Sequence, residues 1–217
     1  LFDLLVGASS VYGGSWIEGS GAVHAENQAL RWLADLAGFP SDAGGVFVSG
    51  GTAGNLSALI AARARWRERA EGAFDRTRAL FIGARNAHSS IAAAGRAMDA
   101  DVMLADTDSD GRLDPVALRA LVAELSAEER SRIAAVIATS GSTNAGLIDP
   151  LDPVADLAST LGAWFHVDGA YGAAALAAPS LPLGVAVEIE AVFEIEEGRV
   201  EKRVVLFMIP EWVRPTS

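Results

Sequence analysis

The sequence contains 217 residues, 51% of them hydrophobic, with a formal net charge of −11, which suits one large globular domain. The acidic balance argues against nucleic acid and anionic membranes as partners, because both are bound through clustered Lys and Arg. The absence of cysteine excludes disulfides, thiolate catalysis and cysteine-bound metals, and leads us to expect a cytoplasmic protein.

The first forty residues are predicted to form a glycine-rich loop followed by a helix. Four glycines interrupt residues 11–23, so we expect a loop there, with Trp16 as a candidate for the substrate side. From Glu26 onward, apolar residues recur at helical spacing. Gly38 and Pro40 then predict the end of that helix.

A strand, a glycine-rich turn and a helix are predicted over residues 46–66. Gly51 lets the backbone approach a ligand closely, and the free amides at a helix start favour an anion. Thr52 adds a hydroxyl that suits a phosphate. The sequence lacks the spacing of a Walker-type loop or of a dinucleotide fingerprint. A turn with a purely structural role is an equally good interpretation of this segment alone.

The next predicted strand, over residues 79–82, leads to His88 and an alanine-rich helix. A histidine just beyond a strand end lies at the edge where α/β sheets bind ligands, so His88 is a candidate functional residue. His24, which precedes a helix, and His166, which lies within a predicted strand, are expected to have structural roles.

An acidic segment follows the predicted strand over residues 102–104 and imitates the start of a calcium loop with Asp106, Asp108 and Asp110. Such a loop needs a bidentate Glu at its twelfth position, where this sequence has Ala117. We therefore expect no metal. Asp114 followed by Pro115 instead predicts a capped helix start.

The last predicted elements are a strand over residues 133–139, a polar loop holding Thr143, a helix over residues 153–161 and a strand that ends at Asp168. This alternation predicts an α/β fold with three layers, α/β/α, and a mostly parallel sheet. Four strand ends then face one crevice and present Gly51 with Thr52, His88, Thr143 and Asp168. Such a set suits a flat, phosphorylated cofactor with a basic ring nitrogen.

Four segments, in this order and spacing, resemble the group II pyridoxal-phosphate decarboxylases, which include the aromatic amino acid, histidine, tyrosine and glutamate decarboxylases. The segments are Ser49–Asn55, His88–Ser90, Ala138–Thr143 and His166–Tyr171. The resemblance covers about residues 5–180. It implies pyridoxal 5′-phosphate as cofactor, an amino acid as substrate, decarboxylation as the reaction, a homodimer in the intact family and the large domain of fold-type I enzymes.

The resemblance also implies roles for single residues. Gly51 and Thr52 would hold the phosphate, His88 would stack on one face of the pyridine ring with Ala170 beneath the other, and Thr143 would lie near the ring. His88 and Asp168 are the implied catalytic residues. Asp168 would pair with the ring nitrogen, because a neighbouring carboxylate favours a charged pyridinium. The charged ring is the electron sink when carbon dioxide leaves.

The sequence departs from the family in its last part. The family's Schiff-base lysine follows a histidine, whereas the only lysine here, Lys202, stands between Glu201 and Arg203 and is expected to be solvated. We therefore predict a partial cofactor-binding large domain over residues 1–180, a divergent tail over residues 181–217, and impaired activity. Because the chain opens on Leu1 rather than Met, inside apolar sequence, we expect a fragment. No signal-peptide pattern is visible. The uncharged residues 169–187 contain two prolines and are expected to form core and loop, not a membrane span.

Two other interpretations remain open. Another fold-type I enzyme, such as an aminotransferase or a cysteine desulfurase relative, shares the glycine-rich loop and the aspartate. Many sulfur-transfer relatives place a histidine where this sequence has Tyr171, which favours the decarboxylases. The chain is alternatively a non-catalytic remnant that binds the cofactor or a partner subunit.

Overall fold

The computed structural model describes residues 2–36, 39, 41, 43–69, 77–172, 190–194 and 202–207. Helices and strands alternate over most of this range. In chain order they are α1 Phe2–Ser9, α2 Trp16–Leu36, β1 Gly44–Phe47, α3 Gly51–Arg69, β2 Leu80–Ala84, α4 Ser89–Ala97, β3 Asp101–Ala105, α5 Pro115–Glu124, α6 Ala127–Ser131, β4 Ile133–Thr139, α7 Leu151–Thr160, β5 Trp164–Gly169, β6 Glu190–Glu194 and β7 Lys202–Phe207.

The strands form one mostly parallel sheet in the order β1-β6-β7-β5-β4-β2-β3. Strands β3, β2, β4, β5 and β7 pair in parallel, whereas β6 runs antiparallel to both of its neighbours, β1 and β7. The prediction of a mostly parallel α/β sheet is confirmed. The short apolar strands β2 and β5 are buried along their whole length and β4 is buried up to its last residue, Thr139, as expected for strands covered on both faces.

Helices cover both faces of the sheet. On one face, alternate strand residues such as Phe81 and Ile137 pack with Leu59 and Trp66 of α3 and with Ile91 of α4. The intervening strand residues pack on the other face with α5 and α7. That second cluster includes Ile82, Val136, Phe165, Leu118 and Val154. Because side chains alternate across a strand, the predicted three layers follow.

The predicted loop over residues 11–23 is wrong from Trp16 onward, because α2 begins at Trp16, ten residues before the expected start. Gly19 interrupts the helix with φ −122° and ψ 18°, and its N–H still donates to the Ser15 carbonyl at 2.8 Å. A glycine in a helix costs only about 1 kcal/mol, so packing through Leu30 and Leu33 outweighs it. Trp16 is 61% exposed on this helix.

The acidic segment forms a turn. The Asp108 carboxylate accepts hydrogen bonds from the backbone N–H groups of Asp110 and Arg112, both at 2.9 Å. Asp114 caps α5 by accepting from the N–H of Val116 at 2.8 Å, which confirms the predicted helix start. Within the described ranges no group of three potential ligands is placed to hold a metal ion.

The end of the sequence contributes two strands to the sheet. Strand β7 pairs with β5, and β6 lies between β7 and β1. Residues 173–189, 195–201 and 208–217 lie outside the described residues, and so does most of the uncharged stretch 169–187. None of the helices in the described part is both long enough and apolar enough for a bilayer span.

Candidate functional site

A cavity of about 650 Å³ opens at the carboxyl edge of the sheet, where β2, β4 and β5 end and α3 begins. The structure brings all of the predicted site residues to its wall. They are Gly51, Thr52, His88, Thr143, Asp168 and Ala170. The other two histidines do not line it, and neither does Trp16.

The start of α3 forms one wall of the cavity. Gly50 adopts φ 125°, a conformation that side chains rarely adopt, and its carbonyl accepts from the N–H of Gly54 at 3.0 Å to open the helix. The amides of Gly51 and Thr52 precede this first helical hydrogen bond and so have no partner within the helix, and both residues line the cavity. A Cβ on Gly51 would lie 3.4 Å from that of Ala170. This wall therefore touches the segment that follows β5.

His88 is held at the start of α4 through one ring nitrogen. Its Nδ1 accepts from the N–H of Ser90 at 3.2 Å and lies 2.8 Å from the Ser90 Oγ. Because a backbone N–H only donates, Nδ1 carries a lone pair and a ring proton is on Nε2. The Ser90 hydroxyl can therefore donate to Nδ1 as well. His88 held in this way lines the cavity.

Asp168 lies near the end of β5 and is only 5% exposed. Its Oδ2 accepts from Asn55 Nδ2 at 2.9 Å, and its Oδ1 accepts from the N–H of Ala170 at 3.3 Å. No described Arg side chain forms an ion pair with it. A buried carboxylate with two hydrogen bonds and no cation is complementary to a positively charged ligand atom.

Asn55 is a site residue that the sequence interpretation missed, although it stands in the glycine-rich segment. It is 1% exposed, and its Nδ2 lies 2.8 Å from the Ser90 Oγ as well as 2.9 Å from Asp168. The signal that points to it is its spacing: it follows Gly51 by four residues and so shares the helix face of the anion site. A polar side chain on that face is unlike the apolar residues that continue the helix.

His166 forms a buried hydrogen bond in addition to packing within β5. It is fully buried and its Nε2 lies 2.8 Å from Asn55 Oδ1. Burial lowers the pKa of His166 to about 4, although the nearby Asp168 carboxylate acts in the opposite direction. The ring is therefore neutral at pH 7. Since it donates from Nε2 to an amide oxygen, its Nδ1 has only a lone pair, and this atom has no hydrogen-bond partner among the described residues.

The loop that carries Thr143 is joined to the segment after β5. The N–H of Ser140 donates to the Asp168 carbonyl at 2.7 Å, and the N–H of Gly172 donates to the Ser140 carbonyl at 3.0 Å. Gly141 has φ +85°, and a Cβ there would lie 2.6 Å from the Gly172 nitrogen. Only glycine fits this contact.

Asp149 closes the base of the same loop. Its two carboxylate oxygens accept from the N–H groups of Leu113 at 2.8 Å and Thr139 at 2.7 Å. Burial raises the pKa of this carboxyl, and the two backbone hydrogen bonds oppose that effect. The residue ties the end of β4 to the segment before α5 and so fixes where the loop begins.

The fold and cavity define a class: an α/β protein whose ligand site lies at the carboxyl edge of a parallel sheet, with an anion site, an imidazole and a buried carboxylate on its walls. The chain belongs to the pyridoxal-dependent decarboxylase family, whose conserved domain matches residues 1–193. The resemblance stated from the sequence is confirmed.

Individual relatives support the same family. An L-2,4-diaminobutyrate decarboxylase from Rhizobium meliloti is 38% identical over 174 residues, which are 78% of this chain and 34% of that protein. An aromatic-L-amino-acid decarboxylase from Bacillus atrophaeus is 33% identical over 177 residues, 80% of this chain and 36% of that protein. The crystal structure of Oryza sativa TDC with PLP has a TM-score of 0.74 and 30% identity, covering 82% of this chain and 41% of that one. The chain thus spans about a third of the length of these curated relatives.

The backbone register places Lys202 at the beginning of β7, where it pairs with Phe165, whereas Asp168 pairs with Val205. Because a strand rises about 3.3 Å per residue, the Lys202 backbone lies roughly 10 Å along the sheet from the level of Asp168. The cavity is at the opposite, carboxyl end of these parallel strands.

Proposed function

We propose that this chain supplies the pyridoxal-phosphate site of an enzyme that decarboxylates an amino acid. The observation that carries the proposal is the hydrogen-bonded connection from His88 through Ser90 and Asn55 to Asp168 on the wall of one cavity. Membership of the pyridoxal-dependent decarboxylase family supports the reaction type.

The residues present fit this cofactor. The carboxylate of Asp168 faces the cavity without a cation, and the glycine turn at the start of α3 leaves backbone amides open to a phosphate. When bound, the cofactor supplies a positively charged ring that accepts the electron pair left on the α-carbon as carbon dioxide leaves.

Each lining residue has a proposed task. Gly51 and Thr52 bind the phosphate through amides and a hydroxyl at the positive end of α3. His88 stacks on one ring face, held flat by its Nδ1 contacts with Ser90, and Ala170 supports the other face. Thr143 orients the ring substituents from the loop after β4.

Asp168 is proposed to hold the proton on the ring nitrogen. An opposite charge beside a nitrogen base favours its protonated form, and burial strengthens this effect by reducing screening. The Asp168 carboxylate is 5% exposed, and both of its hydrogen-bond partners are neutral donors.

The proposal also concerns the family's Schiff-base lysine, for which Lys202 is the only candidate in this sequence. The sequence has no His-Lys pair, so we propose that catalysis in this chain is impaired and that the chain binds the cofactor reversibly. Treatment of the protein with pyridoxal 5′-phosphate and borohydride, followed by peptide mass mapping, tests this. Stable attachment at Lys202 supports a working enzyme; a reversible spectral change without attachment supports the cofactor-binding remnant.

The experiment that tests the proposed function combines binding with turnover. Absorbance titration with pyridoxal 5′-phosphate is followed by carbon dioxide release from L-2,4-diaminobutyrate, L-aspartate and aromatic amino acids. Saturable binding that Asp168→Ala weakens supports the site, and carbon dioxide release supports the reaction. If the wild-type protein shows no saturable spectral change, the proposed cofactor site is wrong.

A homodimer is the proposed assembly. The two amino-terminal helices carry apolar side chains that are well exposed in the single chain, among them Leu4 at 73%, Val6 at 69% and Ile17 at 91%. Large exposed apolar patches commonly mark subunit interfaces. Sedimentation of the wild type and of Ile17→Glu tests this, since the substitution is expected to shift the protein toward monomer.

The domain division and the location are proposals of the same kind. The lining residues of the cavity within the described part of the chain fall between Gly50 and Tyr171, which supports residues 1–180 as the cofactor-binding part and residues 181–217 as a divergent segment. A cytoplasmic location is supported by the cysteine-free composition. Cell fractionation with a tagged chain tests the location.

A further inference from the structure

We infer that Asn55 is the positioning residue for the Asp168 carboxylate, and that His166 sets the orientation of the Asn55 amide. The inference rests on the proposed function, because it concerns how the carboxylate is presented to a ring nitrogen. It assigns a role to Asn55, which lines the cavity, and to His166, which lies behind it and does not line the cavity.

The contacts of Asn55 join three elements. Its side chain starts on α3, reaches Ser90 on α4 at 2.8 Å, and reaches both Asp168 at 2.9 Å and His166 at 2.8 Å on β5. Asn55 is 1% exposed, His166 0% and Ser90 4%. Hydrogen bonds in such a dry environment are strong, and a missing partner is costly there.

The amide of Asn55 has one possible orientation. A carboxylate only accepts, so Nδ2 must face Asp168, and its second hydrogen goes to the Ser90 Oγ. The oxygen Oδ1 then faces His166 Nε2, which donates. A flipped amide would place Oδ1 against Asp168 and Nδ2 against an N–H donor. Both contacts would be repulsive.

This arrangement determines how Asp168 is presented. Asn55 holds Oδ2 and the Ala170 amide holds Oδ1, so the plane of the carboxylate is defined from two sides. Both donors are neutral, so neither of them adds a positive charge that would compete with a cationic ligand for the Asp168 carboxylate. An Arg or Lys in place of Asn55 would satisfy the same oxygen but would compete with a cationic ring nitrogen.

The test compares two ligands that differ only at the ring nitrogen: pyridoxal 5′-phosphate and its deaza analogue, in which a carbon replaces that nitrogen. The measured quantity is the ratio of their dissociation constants. The wild type should prefer pyridoxal 5′-phosphate. Asn55→Leu, which is close in size, should lower this preference about tenfold or more, since a hydrogen bond to a charged group is lost. A merely structural role would weaken both ligands equally and leave the ratio unchanged.

Two further variants distinguish a failure of the proposed function from a failure of the role of Asn55. Ser57→Ala, on the exposed side of the same helix, is the matched control and should leave the ratio unchanged. Asp168→Ala should abolish the preference. If Asp168→Ala leaves the preference intact, the proposed function is wrong. If Asp168→Ala removes it while Asn55→Leu keeps it, only the role of Asn55 is overturned.

If Asn55→Leu does not fold, two substitutions at His166 test the orientation of the Asn55 amide. His166→Gln keeps an N–H donor near the position of Nε2 and should retain the ligand preference. His166→Phe fills the space but removes the donor to Asn55 Oδ1, so the amide is held by fewer contacts and the preference should fall, though less than in Asn55→Leu. Equal preferences in these two variants would overturn the proposed role of His166 and the orientation argument with it.

Discussion

Asn55 Nδ2 lies 2.9 Å from Asp168 Oδ2, although 113 residues separate the two in the sequence. This hydrogen bond connects the first turns of α3, which begin the proposed phosphate site, to the end of β5, which carries the proposed partner of the ring nitrogen. The hydrogen bond is buried between the helix and the strand. A substitution that moves one of these side chains is therefore expected to move the other.

The first prediction concerns the charge of Asp168. Asp168→Ala is expected to abolish turnover in any active preparation, and Asp168→Asn should do nearly the same because it keeps the shape but removes the charge. Carbon dioxide release measures this. Asp156→Asn, an exposed carboxylate on α7, is the control and should be neutral. Near-normal turnover in Asp168→Ala would remove Asp168 from the mechanism.

The second prediction concerns pH and His166. Its pKa is lowered from 6.5 to about 4 in the folded protein, mainly by burial. The unfolded chain therefore binds a proton between these values when the folded chain does not, so stability falls as pH drops from about 6.5 to about 4. The loss from this group is on the order of 3 kcal/mol. Above pH 6.5 its contribution is constant.

Urea unfolding at pH 4 to 7 measures this effect. His166→Gln removes the titrating group while keeping a donor toward Asn55, so its stability should change less with pH than that of the wild type. Parallel curves for the two proteins would show that His166 does not titrate as its burial requires.

The third prediction concerns Asp149. Asp149→Asn retains one acceptor oxygen, so one of the N–H groups of Leu113 and Thr139 loses its partner. The free energy of unfolding should decrease by about 1–3 kcal/mol. The exposed variant Asp152→Asn on the neighbouring helix is a suitable control. An unchanged urea midpoint would mean that water replaces the missing contact.

The fourth prediction separates backbone strain from steric contact in the loop of Thr143. Gly141→Ala should cost more stability than Gly146→Ala. Both glycines have positive φ, +85° and +63°, but an added Cβ meets Gly172 at 2.6 Å in the first case and nothing within 4 Å in the second. Strain alone costs about 1–2 kcal/mol.

Cofactor binding provides a second measurement on the same pair. Gly141→Ala should weaken binding of pyridoxal 5′-phosphate, because Thr143 and the segment after Asp168 must move apart. Gly146→Ala should leave binding close to that of the wild type. Equal effects on stability and binding would contradict the close packing of the two loops.

Much of the fold could be predicted because local patterns and global structure agree. Strand β4 was predicted with the bounds that it has, because a short apolar run between polar segments is typical of a buried strand in an α/β chain. The start of α2 was missed because glycines weaken a helix by little, and the packing that compensates for them is not visible in the local sequence. Helix α6 was also missed, although Ser126 and Glu129 form a capping box that the sequence contains.

The sequence by itself determined that residues suited to a phosphorylated, basic ring end up at one edge of a parallel sheet, because each stands just after a predicted strand and parallel strands end on the same side. Only the tertiary structure decided that Asn55 and His166 belong to that site. Their partners come from α3, α4 and β5, and a hydrogen bond depends on distances of a few ångströms between elements that are remote in the chain. Periodicity in a sequence reports which face a residue occupies, whereas packing between helix and sheet decides which atoms meet.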